Sequence, residues 1–200
     1  MPVNILLPLV TFAVAMAFTP GPNNVMLAAS GVNFGFVRTL PHMAGVTAGF
    51  VVLVLASGLG LGLVFEAVPQ LQLVIKVVGS AYLLWLAYKV ATAHLARDTG
   101  GGPTRPFTFW QAAAFQWINP KGLVAAISAI AIYLRPGQEA RDLAIMVAVF
   151  GIVTAGSVTT WASFGVALRR LLRDPGRARL FNIVMGLLLV ASIVPMLLEG

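Results

Sequence analysis

Long apolar runs separated by short polar connections dominate the chain. Six of them, at about 5–30, 40–65, 70–94, 107–133, 141–168 and 179–198, reach the roughly 20 residues that a helix needs to cross a bilayer core. No connection is long enough for a soluble domain. The longest polar stretch, Ala96 to Pro106, centres on Thr99-Gly100-Gly101-Gly102-Pro103, the composition of a flexible linker. The pattern predicts an all-α integral membrane protein forming a single membrane domain over 1–200. A first repeat covers 1–98, a linker 99–106 and a second repeat 107–200.

Two of the runs are interrupted. Thr19-Pro20-Gly21-Pro22-Asn23-Asn24 falls within the first and Asn119-Pro120-Lys121-Gly122 within the fourth. Pro20 and Pro22 lack the amide protons that would bond the carbonyls of Met16 and Phe18, and their rings clash with the preceding turn. Bare peptide groups cannot face lipid, so a helix broken at membrane depth must be buried in protein or line a cavity. At 1.5 Å per residue, Pro20 lies about 22 Å along the first span and Pro120 about 20 Å along the fourth. Each half has three spans, so the second half enters from the opposite face. The two halves are then expected to be inverted repeats, with helices 1 and 4 broken near mid-membrane and both breaks facing one cavity. Pro20 and Pro120 are 100 residues apart, whereas Gly49/Gly156 and Gly79/Gly186 are each 107 apart.

Composition sharpens this picture. The 200 residues are 59% hydrophobic and 10% charged, where soluble domains average about 25% charged. The mean hydropathy is +0.92. The first basic side chain is Arg38, so 5–30 reads as a retained span and not a signal peptide. The net charge of +7 reflects basic cytoplasmic loops in preference to nucleic-acid binding. Arg38, Lys89, Arg97, Arg105, Arg169, Arg170, Arg173, Arg177 and Arg179 follow the odd spans; Lys76, Arg135 and Arg141 follow the even ones. This bias puts the odd loops in the cytoplasm and both termini outside.

The breaks also hold the candidate chemistry. Gly21, Asn23 and Asn24 offer amides at a half-helix N-terminus, where Pro22 suits the first turn. Such a terminus attracts an anion, here a carboxylate. Lys121 is the one charge near the centre of a span, at an insertion cost of about 2.5–3.5 kcal/mol. It can bind a carboxylate or exchange a proton. Gln116 and Asn119, three apart, are expected to share a face and bind an amine or hydroxyl, or else to bond between helices. Ser57, Thr159, Thr160 and Asn182 read as interhelical contacts, and Tyr82, Trp85 and Tyr88 as packing or belt aromatics. His42 reads as interfacial. Gly45 and Gly49 read as internal packing in preference to a dimer contact, although a homodimer stays open.

There are no cysteines. The six acids, Glu66, Asp98, Glu139, Asp142, Asp174 and Glu199, lie in loops or at span ends. There is no HExxH pair, nucleophile–base constellation or phosphate loop, so no catalytic residue, metal or cofactor is predicted. Without a mid-depth acid, a substrate cation beyond the zwitterion would lack a partner. A proton relay would have to use Lys121, the substrate or water.

These motifs identify a resemblance to the LysE/RhtB family of amino-acid exporters. It rests on Thr19 to Asn24, Gly35, Gly45/Gly49, and the segment from Phe109-Trp110 through Gln116 to Asn119-Pro120-Lys121. The cysteine/O-acetylserine exporter branch is most similar. The resemblance implies a secondary transporter exporting amino acids across the bacterial inner membrane, coupled to the electrochemical gradient. The missing acid favours small neutral solutes such as cysteine, O-acetylserine, threonine or homoserine. Export of basic amino acids or another small solute is the alternative within transport; a membrane-embedded enzyme or regulatory subunit is the alternative outside it. The expected substrate-binding residues are Thr19, Pro20, Gly21, Pro22, Asn23, Asn24, Gln116, Asn119, Pro120 and Lys121.

Overall fold

The first apolar run folds as two helices, α1 (Val3–Phe18) and α2 (Pro22–Phe34), bent by 53° at the break. The second gives α3 (Phe36–Ala56), which widens into a π-type turn at Ser57–Leu61 and continues as α4 (Gly62–Ala67). Gly60 in that turn has φ 114°, a conformation open to glycine and costly for other residues. The third run is α5 (Pro69–Ala91). The fourth divides into α6 (Phe109–Phe115) and α7 (Pro120–Tyr133), the fifth is α8 (Glu139–Leu168), and the sixth contributes α9 (Pro175–Ala191). This computed structural model describes residues 1–92, 105–169, 172 and 174–191. Every regular element among them is a helix. Most of the predicted linker, the ends of the third and sixth spans, Arg97, Asp98, Arg170, Arg173 and Glu199 lie outside the described residues.

Three helical stretches are each long and apolar enough to cross a bilayer: Phe36–Val64, Leu73–Ala91 and Glu139–Leu168. The bent α1–α2 pair makes a fourth. This is fewer than the six expected. The second break leaves α7 with 14 residues, about 21 Å of helix, and the described part of α9 has 17. The chain is an all-helical, multi-pass membrane protein. Large apolar side chains such as Val77, Ile152 and Leu187 stand exposed on the outer surface, as a lipid-facing wall requires.

Glycines set how closely the helices approach. A Cβ on Gly31 would strike the Ala162 carbonyl, and one on Gly165 the Ala28 carbonyl, so α2 and α8 cross nearly backbone to backbone. Gly45 and Gly49 receive α6 in the same way, through Phe109, Ala112 and Ala113. That pair is therefore internal packing. Gly156 has open space around its Cβ direction, so the 107-residue offset from Gly49 does not carry a shared packing role. One apolar cluster joins α1, α3, α7 and α8 through Leu9, Leu53, Leu123, Met146 and Phe150. A second joins α2, α5, α6 and α9 through Val25, Leu83, Phe115 and Leu189.

At the α7–α8 turn, Arg135 donates to both carboxylate oxygens of Asp142, at 2.7 and 2.8 Å. This hydrogen bonding pushes the guanidinium pKa further above its ordinary value. The Asp142 side chain is fully buried.

Several expected polar roles are corrected. The Ser57, Thr159 and Thr160 hydroxyls bond carbonyls one turn back in their own helices, which a helical hydroxyl reaches without a second helix. His42 is not interfacial: it is 2% exposed and packs edge-on against Phe107 at 5.3 Å. Neither ring nitrogen has a hydrogen-bond partner among the described residues.

Candidate functional site

Each break follows from local backbone chemistry. A residue before proline is pushed out of the helical region. Thr19 (ψ 133°), Gly21 (ψ 179°) and Asn119 (ψ 105°) each precede a proline and are extended. Pro22 and Pro120 then start α2 and α7, where a missing amide proton costs nothing. The second break therefore occupies Gln116–Asn119, ahead of the Asn119–Lys121 position expected.

The broken ends are sewn together by side chains. The Asn24 amide donates to the Ala17 and Thr19 carbonyls, at 2.9 and 2.8 Å. The Ser157 hydroxyl of α8 donates to Ala17 O at 2.6 Å. Lys121 reaches across from α7 to donate to Thr19 O at 2.5 Å. Asn23 and Gln116 exchange amide hydrogen bonds at 2.8 and 3.2 Å, and Gln116 also donates to Ala112 O. Carbonyls released by the first break thus find donors inside the protein, as they must at membrane depth.

The two breaks meet at one cavity with about 550 Å³ of empty space, its open mouth included. Gly21, Pro22, Asn23 and Asn24 line it from the first break, and Asn119, Lys121 and Gly122 from the second. Helix α3 adds Val46 and Phe50, and α8 adds Phe150, Thr154, Ser157 and Val158. Phe50 and Phe150 meet edge to face at 5.7 Å.

The cavity's electrostatics are one-sided. Lys121 alone is charged among the lining residues. The N-termini of α2 and α7 both open here, and neither has a side-chain cap. By contrast, α6 carries a full capping box between Thr108 and Gln111. Two uncapped N-termini present free N–H groups and partial positive charge. Together with Lys121 they suit a carboxylate. Asn119 is 3% exposed and its Oδ1 has no partner among the described residues, an acceptor whose burial is unfavourable until a donor arrives.

Six of the ten expected site residues line the cavity: Gly21, Pro22, Asn23, Asn24, Asn119 and Lys121. Thr19, Pro20, Gln116 and Pro120 are not among its lining residues. Thr19 contributes through its carbonyl, and its hydroxyl turns back to Ala15 O. Gln116 is fully buried and ties α6 to α2. Its expected alignment with Asn119 fails because the break interrupts the helical geometry that spacing assumes. The α8 contribution was not anticipated. Thr154 and Ser157, polar residues three apart within an apolar run, were the available signal.

Comparison with known proteins agrees with this arrangement. Residues 14–199 match the family described as LysE type translocator. The cysteine/O-acetylserine efflux proteins of Escherichia coli (strain UTI89) and Shigella flexneri serotype 5b are each 34% identical to the chain over 183 residues. Each alignment covers 90% of this chain and 91% of the relative. That of Escherichia coli O157:H7 is 33% identical over 185 residues, with the same coverage. No solved structure matches. A bent pair of apolar helices, a second broken run, a shared cavity and these matches make the chain a membrane translocator, not an enzyme, and it belongs to the LysE type translocator family.

Proposed function

We propose that this protein is a secondary transporter that exports small neutral amino acids or their derivatives across the bacterial inner membrane. Cysteine, O-acetylserine, threonine and homoserine are the solute types. The observation that carries this is the charge of the cavity: one lysine and two uncapped helix N-termini, with no acid among the lining residues. The helix ends and Lys121 take the carboxylate, while Asn119 Oδ1 accepts from the amine. A second cationic group would have no counter-charge in the cavity, and burying it unpaired is very costly. The relatives named as cysteine/O-acetylserine efflux proteins support this choice. Coupling to the proton gradient would pass through Lys121, the substrate or water.

The architecture that serves this function is six spans in two inverted three-helix repeats. Its support is an exchange pattern in the packing. Both parts of the first broken span, α1 and α2, pack on α8, the second span of the other half, and both parts of the other broken span, α6 and α7, pack on α3. The second spans, α3 and α8, pack on each other, as do the third spans, α5 and α9.

The test is efflux of labelled cysteine, threonine, lysine and arginine from liposomes containing the purified protein, wild type beside Lys121→Gln. Cysteine and threonine should leave fastest, and Lys121→Gln should insert normally but lose most efflux. Preference for lysine or arginine would overturn the neutral-solute assignment.

A further inference from the structure

The carbonyls released by the first break are already occupied. Ala17 O accepts from Asn24 and Ser157, and Thr19 O from Asn24 and Lys121. A carbonyl oxygen has two lone pairs, so both are filled. The donors are not equivalent, however. Asn24 and Ser157 are short neutral side chains, each on a packed helix. Lys121 is an ammonium on a flexible four-carbon stem. That stem lies over Gly21, where an added Cβ would stand 2.9 Å from Cδ and 3.2 Å from Nζ. The glycine therefore supplies the room in which the lysine lies. The bond joins the two breaks across 102 residues of sequence.

An amino-acid zwitterion brings the same group, an ammonium, into the same cavity. Two ammonium groups repel at close range where the dielectric is low. The substrate's carboxylate, however, offers Lys121 a charge-assisted partner stronger than a neutral carbonyl. If Lys121 swings to that carboxylate, the Thr19 carbonyl is released. That carbonyl, within reach of the cavity-lining Lys121, then becomes the seat for the substrate amine.

The geometry points to Lys121 as a tethered ammonium that holds the substrate amine's place on the Thr19 carbonyl, yielding it when an amino acid arrives and its carboxylate draws the lysine away. This rests on the amino-acid export reading and deepens it. The unloaded carrier returns across the membrane with its own ammonium in the seat, and the loaded carrier moves with the substrate's. Net efflux requires the unloaded return and one-for-one exchange does not, so net efflux depends on Lys121 more strongly than exchange does.

The experiment uses the full chain in liposomes without an imposed gradient. It compares net efflux of labelled threonine and cysteine with exchange against the same unlabelled solute, for wild type, Lys121→Ala and Lys121→Met. The methionine variant keeps the stem's bulk without its charge. Both variants should lose exchange partially and net efflux at least about tenfold further, a gap worth about 1.4 kcal/mol. Ethylammonium chloride, equal on both sides, should restore net efflux in Lys121→Ala, while potassium chloride should not. Net efflux and exchange falling by the same factor, or no rescue, would overturn the proposal. A second arm needs no transport. In detergent, ethylammonium should raise the melting temperature of Lys121→Ala above its value in potassium chloride and leave wild type unmoved; no difference in the variant overturns the amine seat. A wild type that carries neither solute, beside a positive ethylammonium shift, would instead reject the neutral-solute reading and leave the seat standing.

Discussion

Asn23 and Gln116 face each other amide to amide, each donating to the other's oxygen, at 2.8 and 3.2 Å. The pair joins the first turn of α2 to the C-terminal cap of α6. Gln116 is fully buried, so truncating either partner leaves the other without its bond. Interhelical hydrogen bonds in membranes average about 0.6 kcal/mol, with a maximum near 1.7. Asn23→Leu, Gln116→Leu and the double variant should give a coupling energy in that range when unfolding is followed in detergent micelles. Strictly additive effects would mean that the pair does not hold the breaks together.

The α2–α8 crossing gives a sharper stability test. Gly165→Ala would drive a methyl group into the Ala28 carbonyl, and overpacking of this kind costs about 1–3 kcal/mol. Gly156→Ala, on the same helix, meets open space and should be neutral or stabilising by up to about 1 kcal/mol from helix propensity. Melting temperatures of the two variants should move in opposite directions, or Gly156→Ala should stay level while Gly165→Ala falls. Equal effects would contradict the backbone-to-backbone crossing.

Asn119 should separate stability from transport. Its Oδ1 is buried without a donor among the described residues, at a cost of about 1–3 kcal/mol. Asn119→Leu removes that cost and should not lower the melting temperature. The same change deletes an acceptor for the substrate amine, and loss of about 1.4 kcal/mol would raise the half-saturation concentration tenfold. Efflux measured over a range of internal solute concentrations reads this directly. Unchanged half-saturation would remove Asn119 from the amine's partners.

The Arg135–Asp142 pair should act on the fold and not on solute choice. It sits at the α7–α8 turn, and neither residue lines the cavity. Arg135→Gln leaves the buried Asp142 carboxylate unpaired and should lower thermal stability. The ratio of cysteine to threonine efflux should stay as in wild type. A changed ratio would place this turn in the solute path.

Orientation is testable without transport. The bias of basic side chains toward the odd connections predicts Arg169, Arg177 and Arg179 in the cytoplasm and both termini outside. Reporter fusions at the C-terminus should be active only when exported, and fusions within the Arg169–Arg179 segment only when retained. A cytoplasmic C-terminus would reverse the assignment.

The sequence by itself determined the membrane class, the helical fold and where the first helix breaks. Apolar runs of that length have one low-energy form in lipid, because only a helix satisfies every peptide group internally. Proline chemistry is local and biases Thr19, Gly21 and Asn119 toward extended backbone. Proline alone did not decide the breaks, however. Pro8 and Pro41 stand inside α1 and α3, and those helices run through them. What separates Pro20-Gly21-Pro22 is that Asn24, Ser157 and Lys121 are at hand to take the released carbonyls. Ser157 and Lys121 lie more than 100 residues away in sequence, so only the tertiary structure could supply them. Tertiary packing also drew Gln116 out of the cavity and onto Asn23, and brought Thr154 and Ser157 of α8 into it. It buried His42 against Phe107, because α6 approaches α3 closely along Gly45 and Gly49. Periodicity and turn chemistry act over a few residues and are written in order along the chain. Which side chain completes a bond across a cavity depends on which helices meet there.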